Sequence, residues 1–174
     1  MLLRQERVLN KIMKIYIGTD HAGFELKEKL LNYLPELGLG YEVIDKGAFI
    51  LDANDDYPDF VTDVAISVAE DEGSMGIVIG GSGQGEAMCA NKVAGIRAVV
   101  FYGEKLPLDK IDVQGDESND TFEIVKLARE HNNANIISVG TRFVSEDEAK
   151  FAIELFLRTK FSGEERHVRR INKF

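Results

Sequence analysis

The segment Gly80-Gly81-Ser82-Gly83-Gln84-Gly85-Glu86 joins an apolar run, Ile77-Val78-Ile79, to a stretch of helical character. Glycine has no Cβ, so such a turn can take positive φ and bring its N–H groups close to a ligand. Successive exposed N–H groups leading into a helix form an anion site. With the Ser82 hydroxyl and the Glu86 carboxylate at its lip, that site reads as a reaction centre. A second loaded turn, Asp20-His21-Ala22-Gly23, follows the apolar run Ile15-Tyr16-Ile17. An acid beside an imidazole suits proton transfer or the binding of polar ligand oxygens. Asp20 equally suits plain capping of the helix that follows.

Other residues have blander readings. The glycine turn fits a dinucleotide fingerprint poorly: it follows the third strand, its spacing from Gly81 is not G-x-G-x-x-G, and Glu86 would repel a pyrophosphate. Asp56-Tyr57-Pro58 reads as a helix start, with Pro58 in the first turn and Tyr57 first a packing residue, second a substrate contact. His131-Asn132-Asn133 falls at a helix C-terminus, where His and Asn often serve as caps. Asn91-Lys92 closes a short helix, and Thr141-Arg142 follows the fifth strand. Cys89, between Met88 and Ala90, reads as a small buried side chain and not a nucleophile.

The elements that must carry these turns alternate. Strands are expected at Ile15–Ile17, Tyr41–Ile44, Met75–Ile79, Ile96–Phe101 and Ile136–Val139. Helices are expected at Phe24–Leu34, Pro58–Ala69, briefly after Gly85, at Thr121–His131, and at Ser145–Leu157 behind a capping box of Ser145 and Glu148. Five β–α repeats with continuous apolar strands imply an α/β fold. The expectation is a Rossmann-like three-layer sandwich: a five-stranded parallel sheet of order 2-1-3-4-5 with helices on both faces. Ligands in such sheets bind beyond the carboxyl ends of the strands where the winding reverses. Here that point lies between the first and third strands, where both loaded turns emerge.

A chain of 174 residues suits one domain, and 44% hydrophobic with 29% charged residues is ordinary for a globular protein. Residues 1–13 read as an N-terminal extension ahead of a single domain spanning 14–174. The acidic segment 103–120, with Pro107 and Gly115, reads as an insertion within a β–α unit. Apolar runs are too short for a membrane helix, and Met1–Lys14 lacks the apolar stretch of a secretory signal. The single cysteine fits a reducing, cytoplasmic location. A net charge of −9 argues against a nucleic-acid partner. Yet Arg166, Arg169, Arg170 and Lys173, with His167, crowd the C-terminus, as either a local anion site or a solvated tail.

Taken in order, Gly18-Thr19-Asp20-His21-Ala22-Gly23-Phe24, Asp56-Tyr57-Pro58, Gly80 to Glu86, Ala90-Asn91-Lys92 with Gly95-Ile96-Arg97-Ala98, His131 to Asn135, Gly140-Thr141-Arg142 and Arg166-His167-Val168-Arg169-Arg170 resemble the ribose-5-phosphate isomerase B family. That family also contains galactose- and allose-6-phosphate isomerases. The resemblance implies aldose–ketose isomerisation of a sugar phosphate without metal or cofactor, through a cis-enediolate. It also implies a homodimer, or a tetramer, with sites shared between subunits, and a place in pentose phosphate metabolism. Many relatives carry a cysteine base first in the glycine motif, where this chain has Gly80. A second branch uses a glutamate after the last glycine, and Glu86 holds that position.

By the same resemblance, Glu86 is the C–H base, Ser82 supports hydroxyl proton exchange, and Asp20 with His131 opens the sugar ring. Asn132 helps hold the enediolate. His21, Arg142, Arg166 and Arg170 bind phosphate, while Tyr57, Gly81, Gly83, Gly85 and Asn91 line the substrate. Ribose 5-phosphate is the expected substrate. A four-carbon sugar phosphate, allose or galactose 6-phosphate, or a catalytically silent sugar-phosphate or nucleotide binder are the alternatives.

Overall fold

The computed structural model describes residues 12–174; of the expected N-terminal extension only Ile12 and Met13 fall among them. Five strands, β1 (Lys14–Thr19), β2 (Glu42–Asp45), β3 (Met75–Gly80), β4 (Ala98–Phe101) and β5 (Ile136–Gly140), form one parallel sheet. Six helices connect and follow them: α1 (Phe24–Glu36), α2 (Tyr57–Glu70), α3 (Gln84–Ala90), α4 (Glu123–Asn132), α5 (Glu146–Arg158) and α6 (Glu165–Ile171). The Ser145–Glu148 capping box opens α5 as expected.

The sheet order is β2-β1-β3-β5-β4, which corrects the expected 2-1-3-4-5 at its right-hand edge. The reason lies in burial. Every residue of β5 is buried, which demands a neighbour on each side and a helix layer on each face. In β4, Ala98, Val99 and Val100 are only half-buried, as befits an edge strand. The chain therefore skips outward from β3 to β4 and returns inward to β5.

Right-handed crossovers then place the helices. One core layer packs α1, α4 and α5 against the sheet through Ile15, Ile17, Leu30, Ile77, Ile79, Ile137, Ile153 and Phe156. The opposite layer packs α2 and α3 through Tyr16, Val61, Val64, Val78, Ala90 and Ile136. The winding still reverses between β1 and β3, which are adjacent, so the expected crevice survives the change at the edge.

One buried ion pair ties the left side together. Lys27 of α1 is fully buried, with Nζ 2.6 Å from Asp45 Oδ2 at the end of β2 and 3.2 Å from Glu28 Oε1. The other Asp45 oxygen accepts the Gly47 N–H at 2.9 Å. Ala48 N–H and Thr19 N–H then exchange bonds with Thr19 O and Gly47 O, both at 2.8 Å. This orders the loop that runs from β2 to α2 across the top of β1.

Candidate functional site

Thr19, the last residue of β1, donates its hydroxyl to Ile79 O at 2.8 Å, joining the ends of β1 and β3. Gly23 is required beside it: a Cβ there would collide with Thr19 Oγ1 and Ile79. From the far side, Thr141 donates its hydroxyl toward Ala22 O (3.1 Å) and Gly80 O (3.2 Å). The Thr141 and Arg142 N–H groups bond Gly80 O and Gly81 O. Three loops, after β1, β3 and β5, are thus stapled into one floor.

On that floor the Asp20 side chain, 7% exposed, accepts the Ala22 N–H at 2.9 Å and so caps a single 3₁₀ turn, His21–Gly23. The capping reading is correct for one oxygen; the other lies 3.9 Å from His21 Nδ1. Gly83 sits at φ +73°, a left-handed conformation that favours glycine, and its carbonyl accepts the Ser138 hydroxyl at 2.7 Å. Ser82 is exposed, and its Oγ accepts the Gln84 N–H at 3.3 Å. The Tyr57 ring lies against Gly85, where a Cβ would come within 2.8 Å of its hydroxyl. Arg142 lies over Gly81 in the same way, at 3.0 Å.

Glu86 is 4% exposed, in the first turn of α3. Its carboxylate occupies the niche that Gly80 leaves by having no side chain. Burial pushes the Glu86 carboxyl above the usual glutamate range; its own backbone N–H pulls it partly back, and the Asp20 charge raises it further. A carboxylate tuned upward can take a proton from carbon and return it.

Two residues matter here that the sequence reading passed over. Asp55 binds His21 twice, Oδ1 accepting the backbone N–H at 3.0 Å and lying 2.7 Å from Nδ1. That hydrogen bond, above all, raises the His21 pKa. Gln84 is bonded to the Tyr102 hydroxyl, and the Tyr102 ring meets Phe143 edge-on at 5.5 Å, forming one rim of the floor. The only sequence signal for Asp55 was its place just before Asp56-Tyr57-Pro58. Asp56 itself makes no side-chain cap bond.

The remaining expected residues lie elsewhere in the same chain. His131 and Asn132 end α4 at the amino end of β5, roughly 13 Å of strand from Gly140. Arg97 clamps that helix end by donating Nε–H to Asn132 O (3.1 Å) and Asn133 O (2.9 Å). Buried Arg129 bonds Asn133 Oδ1 and Thr159 O from the other side. The His131 ring packs on buried His167 of α6, centroids 4.2 Å apart. Arg166 has acidic company: Glu164 Oε2 at 2.8 Å, and Asp112, whose carboxyl is held low first by backbone N–H bonds within its own loop and lastly by the Arg166 charge. Arg170 is exposed on the same short helix. The Asn91 amide is consumed by both backbone groups of Ala98, at 2.8 and 2.9 Å. Asp20, His21 and Asp55 are the one group among the described residues whose ligand atoms cluster as a metal site would, within 4.8 Å. The Asp55–His21 hydrogen bond accounts for that proximity.

Comparison with known proteins agrees along nearly the whole chain. A family model described as Ribose/Galactose Isomerase matches residues 15–106 and 118–174. A protein of Mycobacterium tuberculosis named ribose-5-phosphate isomerase B is 40% identical over 160 residues, covering 92% of this chain and 86% of that protein. A solved structure of a mutant type B ribose 5-phosphate isomerase from Trypanosoma cruzi superposes with a TM-score of 0.78 at 37% identity, covering 92% and 93% of the two chains. The Mycoplasma genitalium enzyme, solved with ribulose 5-phosphate bound, superposes at 0.76 with 35% identity over 92% and 93%.

Proposed function

The chain belongs to the ribose/galactose isomerase family, and from that premise we propose that it interconverts ribose 5-phosphate and ribulose 5-phosphate with Glu86 as the base. The observation that carries this reading is the buried Glu86 carboxylate in the Gly80 niche, at the head of the glycine-rich turn.

Asp20 opens the furanose ring together with His131 of a second copy. Glu86 takes the proton from C2, leaving a cis-enediolate whose negative charge falls on O1 and O2. Backbone N–H groups of the turn from Gly81 to Gly85 stabilise that charge, a task for preorganised dipoles in a water-poor site. Ser82 relays the proton between O1 and O2, and protonated Glu86 returns its proton to C1. Asn132 steadies the enediolate. His21 and Arg142 take the phosphate from one chain, Arg166 and Arg170 from the other, since guanidinium forks match phosphate oxygens. Tyr57 closes the sugar subsite, and the motif around Asn91 acts by ordering β4.

A homodimer is part of the proposal. Within one chain Glu86 follows the carboxyl end of β3 while His131 and Asn132 precede the amino end of β5, a separation that supports a second copy completing the site. The segment 103–120 is an insertion outside the chemistry, a reading supported by the family match, which leaves residues 107–117 uncovered. Assaying kcat/KM over a panel of four-, five- and six-carbon aldose phosphates tests the substrate. Ribose 5-phosphate should rank first; a higher value for another sugar would replace it.

A further inference from the structure

Asp55 lies in the loop between β2 and α2, and its side chain is 10% exposed. One oxygen, Oδ1, faces both His21 donors: the backbone N–H at 3.0 Å and the ring Nδ1 at 2.7 Å. The other, Oδ2, is buried with no hydrogen-bond partner among the described residues. A carboxylate withdrawn from water this far is costly unless a cation lies against it. Among the described residues His21 is the group placed to be that cation, and it has one ring nitrogen, Nε2, left over.

From this geometry we infer that Asp55 is a positioning residue: it holds His21 doubly protonated, Nδ1–H committed to Asp55 and Nε2–H available to the substrate phosphate. The inference rests on the proposed role of His21 as a phosphate ligand and deepens it. A neutral imidazole with its proton on Nδ1 would offer phosphate a lone pair at Nε2, which repels an anion. A carboxylate at Nδ1 makes the second proton favourable, so both nitrogens donate. The charges that bear on the ring are Asp55 and Asp20, which favour the imidazolium, and Arg142, which opposes it. The net direction is upward, with the Asp55 hydrogen bond the largest cause. His21 therefore keeps its charge to higher pH than an ordinary histidine.

Asp55→Asn separates charge from shape, because its amide oxygen still accepts both N–H groups. The His21 ring midpoint, followed by NMR among the three histidines of the chain, should fall toward the ordinary histidine value. KM for ribose 5-phosphate should rise about tenfold above neutral pH. That penalty should shrink as pH falls below about 6, where an unaided imidazole protonates. Asp55→Glu should restore part of the binding. A structural role alone would raise KM equally at all pH values. An unmoved His21 midpoint, or a KM ratio flat with pH, would overturn the role of Asp55. His21→Ala measured alongside isolates the underlying reading: an unchanged KM there removes His21 from the phosphate site, whatever Asp55 does to its titration.

Discussion

The Glu86 carboxylate fills the space that a Cβ on Gly80 would need. Six residues apart, one at the end of β3 and the other in the first turn of α3, the two positions share a single niche. A side chain on Gly80 and a carboxylate tucked in from position 86 exclude one another. In this chain a glutamate after the last glycine therefore requires a residue without a side chain at position 80.

Gly80→Ala should therefore cost activity without touching any polar group. Displacing the base predicts a fall in kcat on the order of 100-fold. The crowding should also cost about 1–3 kcal/mol of stability. The double variant Gly80→Ala/Glu86→Ala should regain stability relative to Gly80→Ala, but not activity. Thermal melting and steady-state rates on the three proteins check this.

The raised Glu86 pKa sets opposite pH trends for activity and stability. Only the carboxylate accepts a proton, so kcat/KM should drop as pH falls through the raised value, above the ordinary glutamate range. A carboxyl whose folded pKa is raised stabilises fully below its unfolded value and loses that contribution as pH rises through the folded one. Glu86→Gln is neutral throughout, so its melting temperature should gain on the wild type as pH rises above the ordinary glutamate range. Equal pH dependence of the two proteins would contradict the buried-charge assignment.

Lys27→Met tests the pair that orders the β2–α2 loop. Removing a fully buried ammonium strands Asp45, itself about a quarter exposed, with its charge unmatched. Breaking such a pair costs about 3–5 kcal/mol, and the exposure of Asp45 puts this one at the low end, about 3 kcal/mol. Urea unfolding measures it. Lys27→Met/Asp45→Asn should recover part of the loss.

Sites shared between copies predict rescue in trans. Glu86→Gln and Arg170→Ala should each be impaired alone. In a mixed dimer, one site receives both lesions and the other neither. Random re-association of equal amounts should then restore roughly a quarter of the sites. Activity that stays at the sum of the two parents would contradict shared sites.

The layout of strands, helices and both loaded turns was legible in the sequence because apolar periodicity and glycine punctuation are local signals. The order of β4 and β5 was not, since it depends on which strand the two helix layers bury more fully. Asp55 was missed for a similar reason. Its role arises from a loop folding back over His21, 34 residues away in sequence, and an aspartate before a helix start reads as a cap. Roles for His131, Asn132, Arg166 and Arg170 came from resemblance alone; periodicity says nothing about which end of the sheet each reaches, and the structure sets His131 and Asn132 at the amino end of β5. The Gly80–Glu86 exclusion needed coordinates, because no spacing rule reveals that two residues compete for one volume.

The most direct test of the account follows the carbon-bound hydrogen itself. Ribose 5-phosphate incubated with the protein in D₂O should acquire deuterium at C2, read by NMR, as the enediolate is reprotonated from solvent-exchanged Glu86. Glu86→Gln should bind the sugar phosphate yet leave C2 protiated. Deuterium entering C2 at the wild-type rate in that variant would show that another group moves the proton.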